Sequence, residues 1–118
     1  MLYPKRNFGI IADASGQRVS IFDTDTLQAL QHIPLDVVVL DVALTKDRSR
    51  AAVSSFFSKT MFQIDLCGRY ATVIGSAVAE TFLEDVALTP DDRYALTVDG
   101  SDENQAIVSY SMRENAIV

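Results

Sequence analysis

Two aspartates carry identical neighbours: Asp41-Val42-Ala43-Leu44-Thr45 recurs letter for letter as Asp85-Val86-Ala87-Leu88-Thr89, 44 residues further on. A repeat that sets equivalent segments around a common axis brings such carboxylates, with Glu84 beside the second, toward one place. Oxygen ligands of that kind suit Ca²⁺ or another hard cation, or a cationic ligand. A plainer role fits the same positions, in which each Asp caps a loop or accepts a hydrogen bond from the backbone of the neighbouring repeat. Residue types alone do not choose between the two.

The remaining candidates are single residues. His32, the only histidine, precedes Pro34 by two positions and offers either a general base or metal ligand, or a partly exposed surface residue. Cys67 is the only cysteine, and its thiol would be redox-active if a cation such as Arg69 lowered its pKa. The acidic run Asp99-Gly100-Ser101-Asp102-Glu103-Asn104 suggests a calcium loop but lacks the spacing and terminal Glu of an EF-hand, which favours a solvated hairpin loop. Phe56 and Phe57 are adjacent between polar residues, so at least one ring must face outward unless the loop folds in, and both are candidates for contact with another chain. No Ser-His-Asp order, glycine-rich phosphate loop or paired cysteine cluster is present, so no positive sign of catalysis exists.

Composition narrows the partners. With 118 residues, 48% hydrophobic and 22% charged, the chain can bury a substantial core. Its net charge of −6, spread along the length, disfavours nucleic acid and anionic lipid. One cysteine excludes an intrachain disulfide and, with one histidine, a structural zinc site. No apolar stretch is long enough for a membrane helix, and the residues after Met1 do not form a signal-peptide core, so the expectation is a soluble chain, cytoplasmic by default.

The elements that must position these residues are strands. Apolar runs are short, rich in Val, Ile, Thr, Phe and Tyr, and punctuated by Asp-Ala-Ser-Gly, Lys-Asp-Arg-Ser, Pro-Asp-Asp and Asp-Gly-Ser-Asp. Strands are expected over 8–12, 18–23, 27–33, 38–44, 50–55, 60–65, 70–75, 82–88, 94–98, 106–110 and 116–118. Val19-Ser20-Ile21-Phe22-Asp23 aligns with Met61-Phe62-Gln63-Ile64-Asp65, giving a third, incomplete copy of the repeat. Four strands lie in each unit of about 44 residues, the size and strand count of one β-propeller blade. The expected fold is therefore all-β, with about three blades: a partial one over 7–36 that lacks its innermost strand, and two whole ones over 37–80 and 81–118. The two Asp-Val-Ala-Leu-Thr segments are expected to be innermost strands, buried on both faces by neighbouring blades.

Thr89-Pro90-Asp91-Asp92-Arg93-Tyr94-Ala95-Leu96-Thr97-Val98-Asp99-Gly100 resembles the repeat of the YVTN family of β-propellers. Val19-Ser20-Ile21-Phe22-Asp23-Thr24-Asp25-Thr26 is similar to that family's third strand and following turn. In such repeats Pro-Asp-Asp sets up the first hairpin of the blade; the middle copy departs from the pattern with Lys46 in place of Pro, and with Phe56-Phe57 where a polar loop is usual. The resemblance implies a binding scaffold or surface-layer role, or, in related families, a lactonase or quinone-dependent dehydrogenase with a metal at the channel mouth. It implies no single activity.

Three blades in an open arc would leave an apolar blade face in water at each end. Closure is expected with copies of the chain or with other propeller segments, and the missing innermost strand predicts an exposed edge over 8–12, with Phe8 and Ile10 as interface residues. The first expectation is thus a non-enzymatic binding or scaffold protein acting through protein–protein contacts and without a cofactor. The alternative is a segment of a propeller enzyme with a metal at Asp41 and Asp85.

Overall fold

The turn-bounded apolar runs fold as eleven strands in the computed structural model, which describes residues 7–100 and 106–118. The first sheet runs β1 (Phe8–Asp13), β2 (Arg18–Asp23), β3 (Ala29–Pro34), and the second runs β4 (Asp41–Leu44), β5 (Arg50–Ser55), β6 (Thr60–Asp65), β7 (Thr72–Val78). The third is β8 (Ala87–Leu88), β9 (Tyr94–Val98), β10 (Ile107–Ser111), β11 (Ala116–Ile117). Each sheet is an antiparallel meander in chain order, and the described residues contain no helix. The three sheets are blades of a β-propeller, and the first holds three strands. Among the described residues, no helix is long and apolar enough to cross a membrane.

The repeat in the sequence is a repeat in geometry. A bulge between Ile21 and Phe22 recurs between Gln63 and Ile64, the equivalent strand of the next blade. In the β4–β5 turn the Thr45 hydroxyl donates to the Asp47 carboxylate at 2.8 Å, which also accepts the Ser49 N–H at 2.9 Å, while the Arg50 N–H donates to the Thr45 hydroxyl at 3.1 Å. In the β8–β9 turn Thr89, Asp91, Arg93 and Tyr94 repeat the set at 2.7, 3.1 and 3.1 Å. A proline in this turn is therefore dispensable, because the Thr and Asp side chains already close it.

The same bonds hold the Asp47 and Asp91 carboxyls below the usual carboxylate range: the Ser49 hydroxyl and N–H act on the first, and the Thr89 hydroxyl and Arg93 N–H on the second. A folded-state pKa depressed below the unfolded value of 3.8 stabilises the fold above that pH, and the contribution is lost as pH falls through the folded pKa. Urea unfolding followed from neutral pH downward should show stability falling below about pH 4, and the double substitution Asp47→Ala with Asp91→Ala should flatten that acid limb. An unchanged limb would show that these turns do not couple to folding.

The cores lie between the blades. Phe8, Val19, Ile21 and Ile33 of the first blade pack with Val39, Ala51, Val53, Ile64 and Leu66. Ala52, Met61 and Ala79 pack with Leu83, Val86, Ala95, Tyr110 and Met112 of the third. Burial of each larger side chain contributes about 1.5–3 kcal/mol, so the apolar contact of one blade with the next is what makes the stack cohere.

Polar bonds fix the register of that stack. Arg48 and Asp92 occupy the same left-handed position of their turns, with φ of 65° and 59°, and both reach back to the preceding blade. The Arg48 guanidinium lies over the Phe8 ring, 4.4 Å from its centroid, and donates to the Phe8 carbonyl. Asp92 accepts the backbone N–H of Lys46 at 3.0 Å. A proline at 46 would lack that N–H, which gives the departure of the middle repeat a physical role. Gln31 clasps the backbone of Ala71, its amide donating to the carbonyl and accepting the N–H, both at 2.8 Å.

Two expectations need correction. The stretch 38–44 is a strand only from Asp41, and 82–88 only at Ala87 and Leu88, with Leu83 making one isolated bridge to Asp99. Nor are these innermost strands buried on both faces: β4 is half-buried throughout, and Ala87 is exposed on a face of the third blade that borders an open cleft. The buried strand is β5, where Ala51 to Ser55 are all inaccessible.

Candidate functional site

The segment 79–86, which carries the chain from the second blade to the third, is bonded to both. Ala79 N–H donates to the Lys59 carbonyl at 2.7 Å, on the β5–β6 turn. Gly100 N–H donates to the Phe82 carbonyl at 2.8 Å, Glu84 N–H to the Thr97 hydroxyl at 3.0 Å, and the Thr81 hydroxyl to the Asp99 carboxylate. The β5–β6 turn is itself held by the Lys59 N–H on the Phe56 carbonyl at 3.3 Å and by the Ser58 hydroxyl on that of Ser55 at 2.5 Å.

This frame brings three phenylalanines together. Phe56 and Phe82 stack with centroids 4.9 Å apart and planes 6° from parallel. Phe57 stands edge-on to both, at 5.0 Å and 80° to Phe56 and at 6.3 Å and 74° to Phe82, and is 71% exposed. The Lys59 ammonium sits 4.9 Å from the Phe82 centroid. Gly100 lets the cluster close up, since a Cβ there would come 2.7 Å from the Phe56 ring and 3.1 Å from Glu84 Oε1. The segments that carry the rings, 55–60, 79–86 and 98–100, hold Glu80, Glu84, Asp85 and Asp99 and one cation, Lys59.

The other expected site residues are dispersed. Asp41 accepts the backbone N–H of Val86 in the next blade at 3.0 Å, the plainer of its two roles. Asp85, its repeat counterpart, is exposed and receives no such bond among the described residues; with Glu84 it borders an open cleft of about 380 Å³ lined by Ala87, Leu96, Val98 and Ile107. No group of three His, Cys, Asp or Glu side chains placed to hold a metal occurs among the described residues. His32 is exposed on β3, its Nδ1 2.8 Å from the Ser20 hydroxyl. Burial, and then the nearby Asp65 carboxylate, push the Cys67 thiol up, opposite to the shift that redox activity needs, and Arg69 lies instead over the Tyr70 ring. Of the acidic run after β9, residues 101–104 lie outside the described residues.

β1 pairs only with β2, so among the described residues no strand covers its other edge. The Phe8 side chain is buried at 3% exposure under Arg48, and Ile10 packs against the same core, so both contribute to the contact with the second blade of their own chain. Sequence reasoning flagged Phe56 and Phe57, and Glu84 only as a neighbour of Asp85; it did not flag Phe82 or Lys59, whose proximity to the pair depends on a connector whose path no local pattern records.

The chain is similar to the crystal structure of a functionally unknown protein from Desulfotomaculum acetoxidans, with 36% identity and a TM-score of 0.88 over 95% of this chain and 35% of that one. It is also similar to Kuenenia stuttgartiensis hydrazine synthase, at 18% identity and TM-score 0.85, and to the dihydro-heme d1 dehydrogenase NirN, at 17% and 0.76. Those matches cover 95% of this chain in both cases, but 31% and 23% of the other chains, and they show the fold alone. The chain spans about a third of the Desulfotomaculum protein. No family model and no curated protein matches it.

Proposed function

We propose that the chain is a non-enzymatic binding segment of a β-propeller, of the kind its YVTN-like repeat suggests, which completes a ring by packing its end blades against further blades. The observation that carries this is the outer face of the third blade. At the two internal junctions, apolar blade faces are covered and Arg48, Gln31, Asp41 and Asp92 find backbone partners across the gap. At the end of the arc the same kind of face, with Val98 and Ile107 46% and 71% exposed and Asp85 at its border, lies open. A blade face in that state is a surface for another blade.

Light scattering coupled to size-exclusion chromatography tests the proposal. A mass that is a multiple of 13.0 kDa is expected, with copies closing on one another. A stable species of 13.0 kDa at high concentration would show that the open faces need no cover, and would overturn it.

A further inference from the structure

We infer that the outer edge of β7 is a pairing surface for a second copy of this chain, joined edge to edge with the two β7 strands antiparallel. The inference does not rest on ring closure. Closure covers the faces of the end blades and leaves the outer edge of the second blade where it is.

The backbone shows that this edge is open. β7 is the last strand of its sheet and pairs only with β6. Ala79 N–H donates to the Lys59 carbonyl at 2.7 Å, and Ala79 stands opposite Lys59 in the register that pairs Val78 with Thr60. Antiparallel ladders alternate, so Ala77 and Gly75 also bond to β6, while the N–H and C=O groups of Ser76 and Val78 point away from it. No described residue bonds those outward groups.

Outer edges are ordinarily blunted by charge, by proline or by brevity. The other two here follow that rule, since β3 ends at Pro34 and β11 is two residues long. β7 does not. It has seven residues, more than any other strand described, and 71–79 holds no charged side chain and no proline. Val73, Ile74 and Val78 are 42%, 40% and 70% exposed along it. An uncharged, apolar edge with unpaired backbone groups takes a strand of the same character, and β7 of another copy is such a strand. Two of these edges complete each other about a twofold axis, and each is already extended, so little order has to be gained on pairing. Charge sets the direction. Arg69 precedes the neutral stretch and Glu80 follows it, both exposed. Antiparallel pairing brings Arg69 of one copy toward Glu80 of the other, whereas parallel pairing sets like charges side by side. Arg69 lies over the Tyr70 ring, 5.6 Å from its centroid, and its guanidinium makes no hydrogen bond among the described residues.

The test is hydrogen exchange at the Ser76 and Val78 amides of the full chain, read by NMR over a range of concentration, with sedimentation of the same samples. Exchange at these two amides should slow as concentration rises, in step with association. Ser76→Pro deletes one outward donor in each copy and no β6–β7 bond, and should weaken that association about tenfold. Val78→Lys keeps the donors but sets a charge on the neutral strip, and should also weaken it about tenfold. Amide dispersion of each variant verifies that it folds. Ile107→Lys alters the open face of the third blade, and so disturbs ring closure while leaving the slow exchange of Ser76 and Val78 intact. Exchange that does not respond to concentration, association of Ser76→Pro and Val78→Lys equal to that of the parent, or loss of the slow exchange in Ile107→Lys would each overturn the inference. A fall in mass for Ile107→Lys with slow exchange retained reports on ring closure alone, so failure of either reading is distinguishable from failure of the other.

Discussion

Gln63→Ala is expected to lower the unfolding free energy by about 3 kcal/mol, the largest effect of a polar substitution in this chain. Gln63 is 1% exposed on β6 and faces the third blade. In the orientation its neighbours require, its amide donates to the Met112 carbonyl at 2.8 Å and to Asn115 Oδ1 at 3.0 Å, and its oxygen accepts from Arg50 Nη1 at 2.9 Å. Asn115 Oδ1 also accepts the Tyr110 hydroxyl at 2.5 Å, and Tyr110 is buried deeply enough to push its pKa up to about 12. Truncation takes one partner each from the buried Met112 carbonyl, from the Asn115 carboxamide and from the part-exposed Arg50 guanidinium, and adds a cavity. Tyr110→Phe keeps the volume and removes one hydroxyl, so it should cost only about 1 kcal/mol. Denaturant unfolding of both variants checks the order. A Gln63→Ala cost below about 1 kcal/mol would show that water satisfies the junction and that apolar packing alone holds these blades together.

The strand order was legible because the repeat is carried by turns as well as by apolar runs. Asp-Val-Ala-Leu-Thr recurs with its hydroxyl and following aspartate in place, and both copies make the same bonds. What misled was the apolar stretch before each copy. Val38, Val39 and Leu40 alternate in exposure as a strand would, with Val39 at 0% and its neighbours at 41% and 42%, and Leu83 and Val86 are core residues. These segments are extended connectors wedged between blades. Alternation reports which side of the chain meets apolar neighbours, but not whether a partner strand exists to form a ladder. The hairpins were legible without a glycine at the left-handed position: Gln17, Arg48, Lys59, Asp92 and Asn115 take up positive φ and no glycine does.

The aromatic site was half legible for a related reason. Two adjacent phenylalanines in a polar turn are conspicuous, whereas Phe82 lies in an apolar run whose ordinary meaning is core. Its ring stacks on Phe56 from 26 residues away only because bonds at Ala79, Gly100 and Glu84 fix the connector to both blades. The reading of Asp41 and Asp85 as a pair was sound about equivalence and incomplete about environment: one faces a blade that is present, the other an open cleft.

That difference makes the pair a test of the architecture. Asp41→Ala deprives the Val86 N–H, in a residue 7% exposed, of its acceptor and should cost about 2 kcal/mol. Asp85→Ala removes the equivalent side chain where no blade is bonded to it, and should leave the dissociated chain's stability within about 0.5 kcal/mol of the parent. In the assembled state the asymmetry should fade, because a fourth blade would bring a backbone N–H to Asp85 as the third brings Val86 to Asp41; Asp85→Ala should then raise the concentration at which the assembly dissociates. Equal costs for the two substitutions in the dissociated chain would place the aspartates' role inside their own loops. Calcium supplies the remaining discrimination. A cation held by these carboxylates would raise the melting temperature of the parent, by linkage, and not that of Asp85→Ala, and would favour an enzyme-type ring over a scaffold. With one Asp41 oxygen already bonded to a neighbouring amide, the expected result is no calcium-dependent shift and an assembly that depends on Asp85.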